Sequence, residues 1–320
     1  MELVEVVSIF GIIIAIIIFS MLLTIIFVKI IKFNSLNFNP LRSQLGELID
    51  NKFFMSSDNY KLKWYGAITK QSKVIVLCIH DLLTTGEWFK ELFINVISND
   101  IDVVSWDQRG LNKNKEELYP NFGANLCDLN EIIDWIEERY PAKKIVLLGE
   151  GIGANLAILA QKKHKINGII LSSIITKNGY TTNAKNRHLI AKGMFLSSNI
   201  KIKKQEDGYD VITDKTFAKK INEYYFNNNS LSVREYFQIK FLKNSSYRNA
   251  DLIKTNDLKG LILIPQNDIY FDDNKMTKIA SKSGLTDNVI IYPKLKHFLF
   301  NEPDNKKVFQ DILKFLEQFL

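Results

Sequence analysis

Hydrophobic and polar positions alternate between two regimes along this chain. From Val6 to Val28 they do not alternate at all: apart from Ser8, Ser20 and Thr24 the run is apolar and uncharged. That is 23 residues, and about 20 are enough to span a bilayer as a helix. Uniform apolarity, rather than a stripe, predicts a membrane-spanning helix and not a core helix. Glu2 and Glu5 precede the run, and Lys29 and Lys32 follow it. A secretory signal has a positive start and a shorter apolar core. Basic residues on the far side place the rest of the chain in the cytoplasm by the positive-inside rule. The expectation is a single-pass cell-membrane protein with an anchor over residues 1–32. The polar stretch FNSLNFNP, ending at Pro40, reads as a tether within a linker over 33–50.

After the tether, short apolar runs alternate with helical patterns. Lys52 to Met55 and Lys61 to Ile68 read as strands joined by the turn-rich SSDN. Lys73 to Ile79, Ile101 to Trp106, Lys143 to Gly149, Gly168 to Ser173, Gly260 to Pro265 and Asn288 to Pro293 are nearly continuous apolar runs, as expected for strands buried on both faces. Helices are predicted from Trp88 to Ser98, with Leu92, Val96 and Ile97 on one side. Others cover the face Leu126, Leu129, Ile133 and Ile136 up to Pro141, Ala154 to Lys163, and Lys306 to Leu320. Strands alternating with helices imply an α/β fold, a mostly parallel sheet with helices on both faces, over residues 51–320. The stretch from about 174 to 257 breaks the alternation. It contains two helical patterns, Arg187 to Ser197 and Val233 to Leu242. It is too long for a plain loop and is predicted to form a helical cap over the C-terminal edge of the sheet, where open α/β sheets bind ligands.

Composition adds little to this. The chain has 320 residues and a formal charge of +7, with lysines scattered rather than blocked. No basic patch interleaves with aromatics, so nucleic acid is not an expected partner. Cys78 and Cys127 have no metal or redox spacing and read as free thiols.

Candidate chemistry sits in LLGEGIG, Leu147 to Gly153, where a strand runs into a glycine-rich turn and out into a helix. In the G-x-S-x-G form of such a turn, a serine nucleophile stands at the apex, and an acid and then a histidine follow in chain order. Here the apex is Gly151. Asp268 follows a late strand in LILIPQND, and His297 follows the last strand in IIYPKLKHFLFNE. The other histidines, His80, His164 and His188, are placed elsewhere.

These residues carry a resemblance. From about Phe53 onward the chain resembles an α/β-hydrolase of the monoacylglycerol lipase and lysophospholipase group, also called serine-aminopeptidase-like hydrolases. The matching stretches are IHDLLTTGEWFKELF, DVVSWDQRGLNKN, NLCDLNEIIDWIEERYP, DVITDKTFAKKINEYY and YPKLKHFLFNE, the last carrying His297 and Glu302. The resemblance implies a serine–histidine–aspartate mechanism on acyl glycerols, lysolipids or other esters. It also implies an oxyanion hole formed by the N–H groups of Leu82 and Ile152, and no metal or organic cofactor.

Three departures fall on that site. Gly151 stands where the nucleophile belongs, and losing a triad nucleophile lowers kcat by about 10⁶. The His-Gly pair of the family is His80-Asp81 here. A carboxylate about 5 Å from a developing oxyanion opposes it by about 3 kcal/mol. The glycine-rich turn after the Asp-x-Arg-Gly segment is Leu111-Asn112. Glycine at the apex also leaves room for a water that His297 and Asp268 would activate. The expectations are therefore a catalytically impaired hydrolase fold at the membrane, an unconventional ester hydrolase using water, or a tethered scaffold. An acyl lipid or ester is the expected ligand. Met194, Phe195, Leu196, Tyr236, Phe237, Ile239 and Phe241 are candidates to line its pocket or to pack the cap on itself.

Overall fold

The computed structural model describes residues 3–34, 46–82, 84–110, 121–161, 166–177, 184–203, 207–223 and 230–320. Helix α1, Leu3–Asn34, comes first. It contains the uncharged span Ser8–Val28, which is long and apolar enough to cross a membrane and has no buried residue. Two further residues of helix follow Lys32, so the helix outruns the predicted anchor.

A nine-stranded sheet forms the centre, in the order β1-β2-β3-β5-β4-β6-β7-β10-β11. Strands β1 (Glu47–Ile49), β2 (Phe53–Met55) and β3 (Lys61–Tyr65) are an antiparallel edge. β1 lies inside the stretch read as linker, so the sheet already begins at Glu47. The remaining strands are parallel: β4 (Val74–Ile79), β5 (Ile101–Trp106), β6 (Lys144–Glu150), β7 (Gly168–Ser172), β10 (Lys259–Pro265) and β11 (Val289–Tyr292). The period-2 geometry of a strand sends alternate side chains to opposite faces. Ile75, Leu77 and Ile79 of β4 therefore join one core, and Val74, Val76 and Cys78 join the other.

Helices cover both faces. α2 (Lys90–Val96) and α11 (Lys306–Leu316) pack on the Val76 side, through Leu92, Val96, Val308 and Ile312. α3 (Phe122–Arg139) and α4 (Ile152–Ala160) pack on the Leu77 side. α3 stops as its pattern predicts: Tyr140 leaves helical geometry because the ring of Pro141 disfavours a helical residue before it. Ile97, placed with Leu92 and Val96 in sequence, lies just past the end of α2 in extended backbone and is exposed.

Between β7 and β10 come α5 (Ala184–Phe195), β8 (Lys201–Lys203), α6 (Gly208–Val211), α7 (Lys215–Ile221), β9 (Ser230–Ser232), α8 (Val233–Arg248) and α9 (Leu252–Thr255). β8 and β9 pair as a small antiparallel sheet. Ser232 caps α8 in a reciprocal box with Glu235, which satisfies two of the helix's otherwise free N–H groups. α10 (Asp273–Ser283) follows β10. α4 packs against α8, tying the cap to the sheet, and α1 passes beside α8 and α5.

Candidate active site

β6 delivers the chain to Gly151, whose φ of 57° and ψ of −119° turn it sharply into α4. Side chains other than hydrogen are strained there. The two flanking glycines allow close approach. A Cβ on Gly149 would stand 2.4 Å from Ala154 Cα, and one on Gly153 would stand 1.9 Å from the Ile79 carbonyl oxygen. The backbone therefore has the elbow geometry that the spacing of glycines predicts, with a bare apex.

His297 and Asp268 meet. Nδ1–H of His297 donates to Asp268 Oδ2 at 2.7 Å, and both side chains are fully buried. Asp268 is held in turn, because its Oδ1 accepts from the Tyr270 N–H at 2.8 Å. The ring of His297 lies edge-on between Tyr270 and Phe298, with centroids 5.0 and 4.9 Å away. Ser173 Oγ donates to the His297 carbonyl at 2.6 Å. Glu302 accepts from the N–H groups of Lys296 at 3.3 Å and Thr213 at 2.9 Å, tying the histidine loop to the cap.

The third group at the site is Asp81. Its side chain turns inward, and Oδ1 accepts from the Ile152 N–H at 2.7 Å. The Leu82 amide also supports its charge. Ile152 and Leu82 are the two residues whose N–H groups are expected to form the oxyanion hole, and a carboxylate of the chain itself occupies the first of them. The other oxygen, Oδ2, faces His297 Nε2 at 3.5 Å. That separation is an ion pair rather than a hydrogen bond, and neither atom has a hydrogen-bond partner. The space expected to admit a water above Gly151 is filled: a Cβ built on Gly151 would lie 2.2 Å from Asp81 Oδ1 and 2.4 Å from its Cγ.

His297 thus stands between two carboxylates. Burial pulls its imidazolium down, but the charges of Asp268 and Asp81 and the hydrogen bond to Asp268 outweigh burial and hold it well above its usual value. For Asp81, burial raises the carboxyl, but His297 and the amides of Ile152 and Leu82 outweigh it and hold it below the usual range. Both shifts favour an imidazolium flanked by carboxylates. An imidazolium has no lone pair with which to accept a proton from water or from a hydroxyl.

The loop that carries Asp81 is fixed from behind. The Gln108 N–H donates to His80 Nε2 at 2.9 Å, so the neutral ring donates from Nδ1 to the Asp81 carbonyl at 2.7 Å. Burial holds His80 below its usual value, in keeping with that neutral form. Thr84 Oγ1 accepts from the Asp81 N–H at 3.1 Å. Arg109 stabilises the next layer, pairing with Asp128 Oδ1 at 2.6 Å and Asp58 Oδ2 at 2.6 Å. Glu150, beside the apex, is buried with Oε1 unpartnered. Burial first, reinforced by the Asp81 and Asp268 charges against the pull of His297, pushes its carboxyl up to about 8.

Most of the predicted pocket-lining residues are elsewhere. Phe195 and Leu196 are exposed. Phe237 joins Ile202 and Val233, with Met194 and Tyr236 packed against them, in a small core of the cap itself. Ile239 belongs to the main core. Leu111 and Asn112 lie outside the described residues. The inward turn of Asp81 is the feature that the sequence reading missed. Its signal was present: the chain loses a side chain at 151 and gains one at 81.

The family model for serine aminopeptidase, S33, matches residues 70–304. Among solved structures, a soluble variant of monoglyceride lipase from Saccharomyces cerevisiae, crystallised with a substrate analogue, superposes with a TM-score of 0.68 at 18% identity. The match covers 89% of this chain and 97% of that one. A monoacylglycerol lipase from Paleococcus ferrophilus gives 0.63 at 17% identity, over 81% and 99% of the chains. A thermostable carboxyl esterase from Bacillus coagulans, in complex with glycerol, gives 0.61 at 14%, over 87% and 99%. A comparison with curated protein sequences finds no match.

Proposed function

This chain belongs to the serine aminopeptidase S33 family of α/β-hydrolases, and we propose that it is a membrane-anchored member that no longer cleaves esters. The observation that carries this reading is Asp81. Its carboxylate takes the Ile152 N–H at 2.7 Å, the position where a hydrolase would stabilise the oxyanion of its substrate. Three requirements of acyl transfer fail together. There is no nucleophile at Gly151, a carboxylate already occupies the Ile152 donor of the hole, and His297 is held as an acid.

The same geometry opposes direct attack by water, since His297 Nε2 faces Asp81 Oδ2 at 3.5 Å and the imidazolium cannot serve as a base. The anchor reading rests on Ser8–Val28 and on α1 lying beside α8 and α5, which sets the cap next to the bilayer that α1 would span. The retained fold then serves binding at the membrane, with an acyl lipid or ester as the ligand class. The test is monoacylglycerol hydrolysis by the full chain in mixed micelles, beside His297→Ala. Background rates in both support the reading. Turnover that disappears in His297→Ala contradicts it.

A further inference from the structure

Positive charge is concentrated in one part of the cap. No aspartate or glutamate stands between Glu150 and Glu206. The cap's share of that stretch, Ile174 to Gln205, holds seven lysines and arginines, which equals the net charge of +7 of the whole chain. Scattered lysines add up here because the acids are missing. The stretch builds α5 and β8.

The two faces of α5 differ. Ile190 and Met194 pack against the small cap core of Ile202, Val233 and Phe237. Gly193 lets the helix approach closely, since a Cβ there would stand 2.3 Å from Val233 Cγ2. Spacings of three and four residues put these positions on one face. The opposite face, Arg187, Ala191 and Phe195 with His188 and Lys192 beside them, is exposed. Phe195 is 49% exposed, and Leu196, just past the helix, is 73% exposed. Large apolar side chains at the end of a basic face are the composition of a surface that lies in a membrane interface. Lys201 of β8 pairs with Glu235 at 3.8 Å, so Arg187 and Lys192 carry most of the charge of this face.

The anchor fixes where that face stands. α1 passes beside α5 and α8. Along Ser8–Val28 every side chain is exposed except Ile26, which is partly covered. The helix therefore meets the cap at its C-terminal end, where Lys29 and Lys32 follow the span. In a spanning helix that end lies at the head groups.

We propose, on the reading that α1 spans the bilayer, that the exposed face of α5 docks on an anionic leaflet of that same membrane. Phe195 and Leu196 enter the head-group boundary, and Arg187 and Lys192 meet the anionic head groups. An apolar tip and a basic patch are each weak signals at a membrane and act together. The anchor holds the cap at high effective concentration over the lipid, so two cations weigh on the docked state.

The test uses the full chain in lipid nanodiscs. An environment-sensitive fluorophore is attached at Leu196→Cys in a Cys127→Ser background, where the remaining thiol, Cys78, is buried. A second preparation carries the fluorophore at Ile94→Cys, an exposed position on α2. In discs rich in phosphatidylserine the probe at 196 should shift to the blue and be quenched by brominated lipid, and the probe at 94 should not. In phosphatidylcholine discs, or at high salt, the shift should shrink, because screening weakens exposed charge pairs. Arg187→Gln with Lys192→Gln should move the docking equilibrium about 25-fold toward the undocked state, about fivefold for each cation near an anionic surface. A probe at 196 that stays aqueous in anionic discs overturns the proposal, as does a shift that is equal in both lipids. A shift in detergent that grows with protein concentration also overturns it, by assigning the face to a second copy of the chain. Flotation with phosphatidylcholine vesicles reads the anchor separately. A chain that floats while its probe at 196 stays aqueous loses this inference alone. A chain that does not float loses the anchor and this inference with it.

Discussion

Asp81 stands in the space that a side chain on Gly151 would need: a Cβ there would lie 2.2 Å from Asp81 Oδ1. The two positions hold one side chain between them. Each residue is tolerable because of the other. Glycine at 151 makes room for the carboxylate, and the carboxylate fills what would otherwise be a cavity over the elbow.

That relationship predicts coupling between the two sites. Gly151→Ser alone forces a side chain into Asp81 and should destabilise the protein by about 1–3 kcal/mol, the usual cost of overpacking. In an Asp81→Gly background the same substitution should cost less, because its three nearest contacts, all with Asp81, are gone. Denaturant unfolding of the four proteins measures the difference. A double-mutant cycle should return a coupling above about 0.5 kcal/mol, the level at which neighbours depart from additivity.

The charge state of His297 is a second consequence. Its pKa is raised and that of Asp81 is lowered. A raised histidine stabilises the fold fully below its unfolded value, about 6.5, and that stabilisation is lost as pH rises through the folded value. A lowered carboxylate stabilises above its unfolded value, about 3.9, and that stabilisation is lost as pH falls through the folded value. The stability difference between the natural protein and Asp81→Asn should therefore be largest between about pH 4 and 6.5 and shrink on either side. NMR of the labelled imidazole should show His297 still protonated at neutral pH. In Asp81→Asn its titration should move down, since one of its two carboxylates is gone.

Glu150 bears the opposite sign. Its carboxyl is pushed up to about 8, so the folded state holds a proton there that the unfolded chain releases above about pH 4.3. Stability falls as pH rises from the unfolded value to the folded one, and is constant beyond it. Glu150→Gln removes this liability. Its stability relative to the natural protein should grow from pH 5 to about 8 and then level off, as read from urea melts across that range.

Much of this arrangement is visible in the sequence, for reasons that differ by element. Ile101–Trp106 and Lys144–Glu150 are legible because strands buried on both faces carry nearly continuous apolar runs, here Val103-Val104 and Ile145 to Leu148. α10 is not, because only Met276, Ile279, Ala280 and Ser283 of DNKMTKIASKS are buried and the rest is polar. The paired strands β8 and β9 are three residues each, too short for an alternation to register. At the site, Asp268 and His297 are legible from chain order, since each follows a late strand. The part played by Asp81 is not legible, because a residue's identity does not state where its side chain points. Expected as a neighbour that would repel an oxyanion, it instead accepts from the Ile152 N–H, one of the two donors expected for the oxyanion.

The most direct measurement is ester hydrolysis by the variant carrying both Asp81→Gly and Gly151→Ser, beside the natural chain and Gly151→Ser alone, on monoacylglycerol and a short-chain ester. The double variant frees the Ile152 N–H group, relieves His297 of its second carboxylate and supplies a hydroxyl at the apex. The account predicts turnover in the double variant that is abolished by His297→Ala, and none in the other two. Hydrolysis by the natural chain, or by Gly151→Ser with Asp81 still in place, would contradict the claim that Asp81 closes the site.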